Sequence, residues 1–184
     1  GEISLISPHM APGLYDAFFA DQELFEKLYV QYEDDPSIRK KKIKAIELFG
    51  IFAQERASTG RVYLQNVDHC NTHSPFDPKV APVRMSNLCL EIALPTKPLN
   101  DINDETGEIA LCTLSAINLG TLDSLDEMEE LSDLAVRALD SLLDYQGYPI
   151  PAAKNASLGR RPLGIGVINF AYYLAKNNVR YSDG

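Results

Sequence analysis

The chain has 184 residues, which is enough for one domain with a hydrophobic core. Hydrophobic residues make up 45% of it and charged residues 23%, as in an ordinary soluble globular protein. The net charge of −9 argues against nucleic acid as the main partner, because binding to phosphates needs a basic surface. No run approaches the roughly 18 consecutive apolar residues that span a membrane, and the N-terminal residues lack a signal-peptide pattern. The three cysteines lack the dense spacing of a secreted disulfide scaffold, so a reducing cytoplasm is the expected location.

The N-terminal third of the chain has the apolar spacing of helices. Residues 12–33 are predicted to form two helices, with Asp21 as the N-cap of the second. Asp35-Pro36 predicts the start of a long helix that ends at Gly60. The basic run Arg39–Lys44 is expected to lie on the solvated face of that helix.

The middle third changes to strand-like periodicity. Val62–Leu64, Met85–Leu94 and Glu108–Leu119 are predicted strands. The polar segments between them, 66–82 and 95–107, contain Pro, Asn and Asp and are predicted loops.

The C-terminal third returns to helical spacing. Ser124 and Glu127 have the spacing of a capping box, and an apolar stripe follows at i, i+3, i+4. Pro149 and Pro151 are expected to break this helix, and a last helix is predicted over 163–176.

This order predicts an α/β arrangement in one partial domain over residues 1–184. Helices are expected in 1–60, strands and a candidate active-site segment in 61–120, and helices again in 121–184. Three strands do not close a barrel, so we expect further chain to complete the sheet. Both ends of the chain are interpreted as those of an internal fragment.

Three polar residues alternate along the second predicted strand. Asn87, Cys89 and Glu91 would share one face of that strand, each about 6–7 Å from the next, and apolar residues would occupy the other face. A carboxylate near a thiol disfavours the thiolate, so this arrangement suits hydrogen-atom transfer better than nucleophilic attack. Glu91 could then act as a general base towards a substrate hydroxyl, and Asn87 could hold a second hydroxyl. The alternative from residue types alone is a half-buried edge strand with a structural cysteine.

Four segments of the chain resemble the large (alpha) subunit of class I ribonucleotide reductases of the Ia type. They are the active-site segment 86–95 (SNLCLEIALP), the later run 111–120 (LCTLSAINLG), the loop 66–78 (NVDHCNTHSPFDP) and the stretch 160–167 (RRPLGIGV). The similarity extends over essentially the whole chain in the same order.

The resemblance implies a fold and a role for each site residue. The fold would be part of a ten-stranded α/β barrel with Cys89 on a loop inside it. Cys89 would be the transient thiyl radical that removes the 3′ hydrogen of the ribose, and Glu91 would take the proton of the 3′-hydroxyl. Asn87 would position the ribose, and Cys112 would be one of two thiols that reduce the 2′ position and end as a disulfide. The partner thiol would lie upstream of residue 1.

The resemblance also implies cofactors and partners. Ribonucleoside diphosphates would be the substrates, and the deoxyribonucleotides produced would supply DNA synthesis. No cofactor is expected on this segment; a di-iron tyrosyl radical would belong to a small subunit, and effectors of the ATP and dATP type would act on the whole enzyme. The expected partners are that small subunit, a second large subunit, and thioredoxin or glutaredoxin, with no nucleic acid and no membrane.

Two alternatives remain at this point. The chain could be a non-catalytic split-gene or relic fragment that acts only by assembling with another polypeptide. It could instead be a thiol-dependent hydrolase built on Cys70 with His69 or His73. The same three residues fit no standard zinc spacing, so no metal site is predicted.

Overall fold

The computed structural model describes residues 1–183, which form two compact units. The first unit is Gly1–Thr96 and the second begins at Lys97. That residues 1–184 make a single partial domain stays a prediction.

The first unit combines two strands with four helices. In chain order these are β1 (Glu2–Ile6), α1 (Leu14–Ala20), α2 (Gln22–Asp34), β2 (Lys40–Lys44), α3 (Ala45–Thr59) and α4 (Val67–Thr72). The two predicted N-terminal helices are confirmed. Asp21 separates them with an extended backbone, and its side chain accepts a hydrogen bond from the Leu24 amide at 3.0 Å.

The predicted helix over 36–59 is wrong in its first part. The Asp35 carboxylate accepts hydrogen bonds from Ser37, which closes a turn instead of opening a helix. The chain then runs back as β2, antiparallel to β1, with Ile3 opposite Ile43. Most of the basic run therefore lies on an exposed strand, while α3 ends as predicted at Gly60, whose φ of +68° suits glycine.

Two other predictions for this unit are also corrected. No strand of residues 1–183 pairs with Val62–Leu64, which has no regular secondary structure. The predicted loop 66–82 contains α4, because Asn66 and the residues after it form helical i, i+4 hydrogen bonds.

The second unit places a parallel strand pair beside helices. Its elements are β3 (Leu114–Asn118), α5 (Met128–Tyr145), α6 (Pro151–Arg160), β4 (Gly164–Ile168) and α7 (Phe170–Lys176). β3 and β4 are parallel, with Leu114 opposite Gly164 and Asn118 opposite Ile168. The core joins Ile117, Leu119 and Leu122 to Met128 and Leu131 of the amphipathic helix.

Predictions for this unit are confirmed in part. The capping box at Ser124 and Glu127 is present, and a 3₁₀ turn leads from it into α5. α5 ends at Tyr145, before both prolines, and Pro151 occupies the first turn of α6, where proline needs no N–H partner. The predicted helix over 163–176 is wrong before Phe170, because Gly164–Ile168 pairs with β3 as a strand.

The strands remain in two separate pairs. Among residues 1–183 there is no closed barrel, and each sheet has two strands. None of the helices in this part of the chain is long and apolar enough to cross a membrane.

Candidate functional site

The segment with Asn87, Cys89 and Glu91 is a turn and not the predicted strand. The Leu90 amide donates to the Asn87 carbonyl at 3.2 Å, which brings residues 87 and 90 together. The backbone of Leu90 has φ +66°, so the side chains do not alternate as they would on a strand. Local hydrogen bonds from asparagine commonly compete with strand formation, and they do so at Asn87.

The Asn87 side chain organises this turn. Its Oδ1 accepts hydrogen bonds from the Ile92 amide and from Ser86 Oγ, both at 3.1 Å. Its Nδ2 donates to Glu91 Oε1 at 2.5 Å. The amide and the carboxylate are therefore in direct contact, although they lie four residues apart in the sequence.

The tip of the turn presents the thiol to solvent. Cys89 is exposed, and the neighbouring Leu88 is 93% exposed. Asn87 is half-buried and Glu91 is exposed. The three predicted residues thus share one short turn, with the thiol at its tip and the amide–carboxylate pair at its base.

The chain segment that leads into the turn is hydrogen-bonded to a buried residue that sequence reasoning missed. Asn71 of α4 is buried, and its side chain pairs with both backbone groups of Val83. Asn71 lies in a polar loop-like sequence beside several other polar residues, so no pattern distinguishes it there.

Cys112 lies in the second unit, where it is exposed and comes two residues before β3. Hydrogen bonds hold its segment on either side. The Ile109 amide donates to the Ala152 carbonyl at 3.1 Å, and the Gly164 amide donates to the Thr113 carbonyl at 3.0 Å.

An ion pair anchors the same segment further upstream. The Glu108 carboxylate contacts the guanidinium of Arg160 and lies 3.1 Å from Lys97 Nζ. Partial burial acts to raise the pKa of Glu108, but the hydrogen bonds and charges of Arg160 and Lys97 outweigh it and hold that pKa below its ordinary value.

Cys70 has different surroundings from the other two cysteines. It is half-buried, and its Sγ accepts a hydrogen bond from Gln65 Nε2 at 3.5 Å. Within residues 1–183 no hydrogen bond joins Cys70 to a histidine; His73 Nδ1 pairs with Thr72 Oγ1 at 3.0 Å. In this part of the chain no group of three or more His, Cys, Asp or Glu side chains could hold a metal ion.

The fold defines a class of protein, a mixed α/β domain. The sequence pattern of the family described as ribonucleotide reductase, barrel domain, matches residues 1–184. The chain belongs to this family, and the prediction of an incomplete α/β barrel is confirmed by the match together with the unclosed sheets.

Bacterial and phage relatives agree with this assignment. The chain is 77% identical over 183 residues to ribonucleoside-diphosphate reductase 1 subunit alpha of Escherichia coli. It is 75% identical to the subunit alpha of Haemophilus influenzae, and 51% identical to that of Enterobacteria phage T4. The first two matches cover 100% of this chain and the phage match 98%, yet each covers 24% of the relative. The chain thus spans about a quarter of the length of these relatives.

Proposed function

We propose that this chain carries the radical-bearing turn and one reducing thiol of a ribonucleoside-diphosphate reductase large subunit. The reaction converts ribonucleoside diphosphates into deoxyribonucleoside diphosphates. The observation that carries the proposal is the turn itself, in which an exposed Cys89 lies between Asn87 and Glu91, whose side chains are hydrogen-bonded.

Each residue of the turn would have its own role in the reaction at the ribose. As a thiyl radical, Cys89 takes the 3′ hydrogen atom and forms an S–H bond. The Glu91 carboxylate accepts the proton of the 3′-hydroxyl, as a general base placed within hydrogen-bond reach would. Asn87 has one Nδ2 hydrogen beyond the bond to Glu91, and this hydrogen can be donated to a ribose hydroxyl.

Cys112 would supply the reducing equivalents with a second thiol from elsewhere in the subunit. The C2′–O bond breaks, and the hydroxyl leaves as water. The two thiols give two electrons and two hydrogens and end joined as a disulfide. One thiol hydrogen leaves in the water, and the other forms the new C2′–H bond. The proton held by Glu91 returns to the 3′ oxygen and the hydrogen atom held by Cys89 returns to C3′, which restores the 3′-hydroxyl, the carboxylate and the thiyl radical.

The partners in this proposal rest on family resemblance. A small subunit would generate the radical, a second large subunit would complete the enzyme, and thioredoxin or glutaredoxin would reduce the disulfide. The residues of this chain do not fit a di-iron group, since no cluster of three potential ligands occurs within residues 1–183. No step is therefore assigned to iron on this chain.

The test is a cysteine series in the full-length large subunit, assayed with its small subunit. Cys89→Ser should lower deoxynucleotide formation on the order of 10³-fold or more, because serine cannot form a comparable radical. Equilibrium binding of a ribonucleoside diphosphate should change little. Cys112→Ser should stop repeated turnover with a dithiol reductant.

Cys70→Ser is the matched control, because it makes the same substitution at a half-buried thiol outside the turn. It should keep nearly full activity. Turnover by Cys89→Ser would rule out the radical role, and unchanged steady-state turnover by Cys112→Ser would rule out the reducing role.

A further inference from the structure

The chain segment that leads into the Cys89 turn is held by one buried side chain. Asn71 is 8% exposed. Its Nδ2 donates to the carbonyl oxygens of Val67 at 2.8 Å and Val83 at 2.9 Å. Its Oδ1 accepts the amide of Val83 at 2.8 Å.

This pairing replaces the partners that a neighbouring strand would supply. Val83 is 0% exposed, so water cannot satisfy its backbone N–H and C=O groups. The Asn71 amide provides a donor and an acceptor together, which satisfies both. A side chain that lacks either group would leave a buried backbone group unpaired, at a large cost in free energy.

The next residue along the chain is held from another helix. Arg84 Nη1 donates to Asp16 Oδ1 at 3.1 Å, and its guanidinium lies 5.7 Å from the centre of the Phe19 ring. Two consecutive residues are thus fixed, one to α4 and one to α1. Asn87, which organises the turn, follows Val83 by four residues.

We propose that Asn71 is a positioning residue, which fixes the approach to the turn and so sets where Cys89 and Glu91 meet the substrate. This inference rests on the proposed function of the turn. Asn71 touches none of the reacting groups and acts through Val83. A displacement of about 1 Å in reacting groups can lower a rate on the order of 100-fold, so a small shift at Val83 would matter.

The test compares Asn71→Ala and Asn71→Asp with Ser4→Ala in the full-length subunit. Asn71→Asp keeps the size and the acceptor for Val83, and loses both N–H donors. Ser4 is 5% exposed and its Oγ donates to Glu33 Oε1 at 2.6 Å, so Ser4→Ala removes a partly buried hydrogen bond of the same unit that does not involve residues 81–91. The measurements are kcat, KM, the unfolding midpoint, and hydrogen exchange of peptides that cover residues 81–94.

Both Asn71 variants should lower kcat about 10- to 100-fold, with a much smaller change in KM and faster exchange confined to residues 81–94. Ser4→Ala should shift the unfolding midpoint by a similar amount and keep kcat. The positioning role is overturned if kcat of the Asn71 variants falls no further than that of Ser4→Ala at equal folded fraction. If Asn71→Ala gives no folded subunit, Asn71→Asp decides by the same criteria.

Cys89→Ser in the same assay separates the two proposals. An active Cys89→Ser subunit would overturn the proposed function of the turn. An inactive Cys89→Ser subunit together with fully active Asn71 variants would overturn only the positioning role.

Discussion

Leu90 has a backbone conformation that non-glycine residues seldom adopt. Its φ is +66°, a region in which the Cβ of an L-residue crowds its own carbonyl at a cost of about 1–2 kcal/mol. The hydrogen bonds from the Leu90 amide to the Asn87 carbonyl and from the Ile92 amide to Asn87 Oδ1 hold it there. Strain of this kind persists where surrounding contacts over-determine the backbone, and it is frequent at functional sites.

The strain leads to a prediction for two substitutions of Leu90. Leu90→Val should lower turnover of the full-length subunit by about 10-fold or more, because a β-branched residue tolerates positive φ poorly and a displaced turn misplaces the thiol. Leu90→Asn should keep most of the turnover, since asparagine enters this region readily. Steady-state kinetics measures both. Equal losses in the two variants would show that the leucine side chain, and not its backbone, is what the turn requires.

The sequence predicted that Asn87, Cys89 and Glu91 lie together, but it was wrong about the local structure that holds them. On the predicted strand, alternation would place Asn87, Cys89 and Glu91 on one face, and the family resemblance implies a role for each. The structure brings the same residues together through the turn, because Asn87 provides hydrogen bonds that a neighbouring strand would otherwise provide. Periodicity does not record such side-chain bonds to the backbone, and it misses Asn71 for the same reason.

At the scale of single elements, the capping box before α5 is the best-predicted feature. Ser124 Oγ accepts the Asp126 amide at 3.1 Å, and Glu127 Oε1 accepts the Ser124 amide at 3.0 Å. These partners are local and lie within three residues, so sequence spacing alone determines them.

Ser124→Ala should therefore lower the free energy of unfolding of the second unit by about 1 kcal/mol. Ser124→Asp should keep most of the free energy of unfolding, because an aspartate carboxylate also accepts a backbone hydrogen bond at an N-cap. Ser141→Ala is the matched control, since Ser141 is exposed within the same helix. Urea unfolding followed by circular dichroism measures the change. A Ser124→Ala variant as stable as Ser141→Ala would mean that the box adds nothing to the stability of α5.

Strands were the elements that sequence predicted least well. β2 is rich in lysine, and its conformation comes from pairing with β1, about 40 residues away along the chain. β4 pairs with β3 across the two helices between them. Such long-range pairing leaves little local signal, whereas helices and caps are specified by near neighbours.

At the scale of the whole molecule, specific hydrogen bonds stabilise the charged form of several acidic side chains. Among residues 1–183, four carboxyl groups have a pKa below the ordinary value. For Asp35 the main cause is the Ser37 hydroxyl, for Asp104 the Thr106 hydroxyl, and for Asp144 the Arg161 guanidinium. Glu108 is the fourth; burial opposes the shift there, and Arg160 and Lys97 produce it. Three of the four belong to the second unit, so acid should weaken that unit more than the first.

The direction of this effect follows from linkage. A carboxyl whose pKa is lower in the folded state stabilises the fold fully above its unfolded pKa, about 4. That stabilisation is lost as the pH falls through the folded-state pKa. The thermal unfolding midpoint of the chain should therefore stay nearly constant from neutral pH to about pH 5 and fall steeply below about pH 4.

Glu108→Gln tests which groups carry the acid dependence. The substitution keeps the size of the side chain and removes a titrating group whose contacts are the ion pairs with Arg160 and Lys97. The variant should be less stable than the parent at neutral pH, because two cations lose their partner, and its midpoint should fall less steeply in acid. A parent midpoint that does not fall between about pH 4 and pH 2 would contradict the linkage argument. If the unfolding midpoints of the parent and of Glu108→Gln fall equally steeply in acid, the aspartates would account for the acid dependence instead.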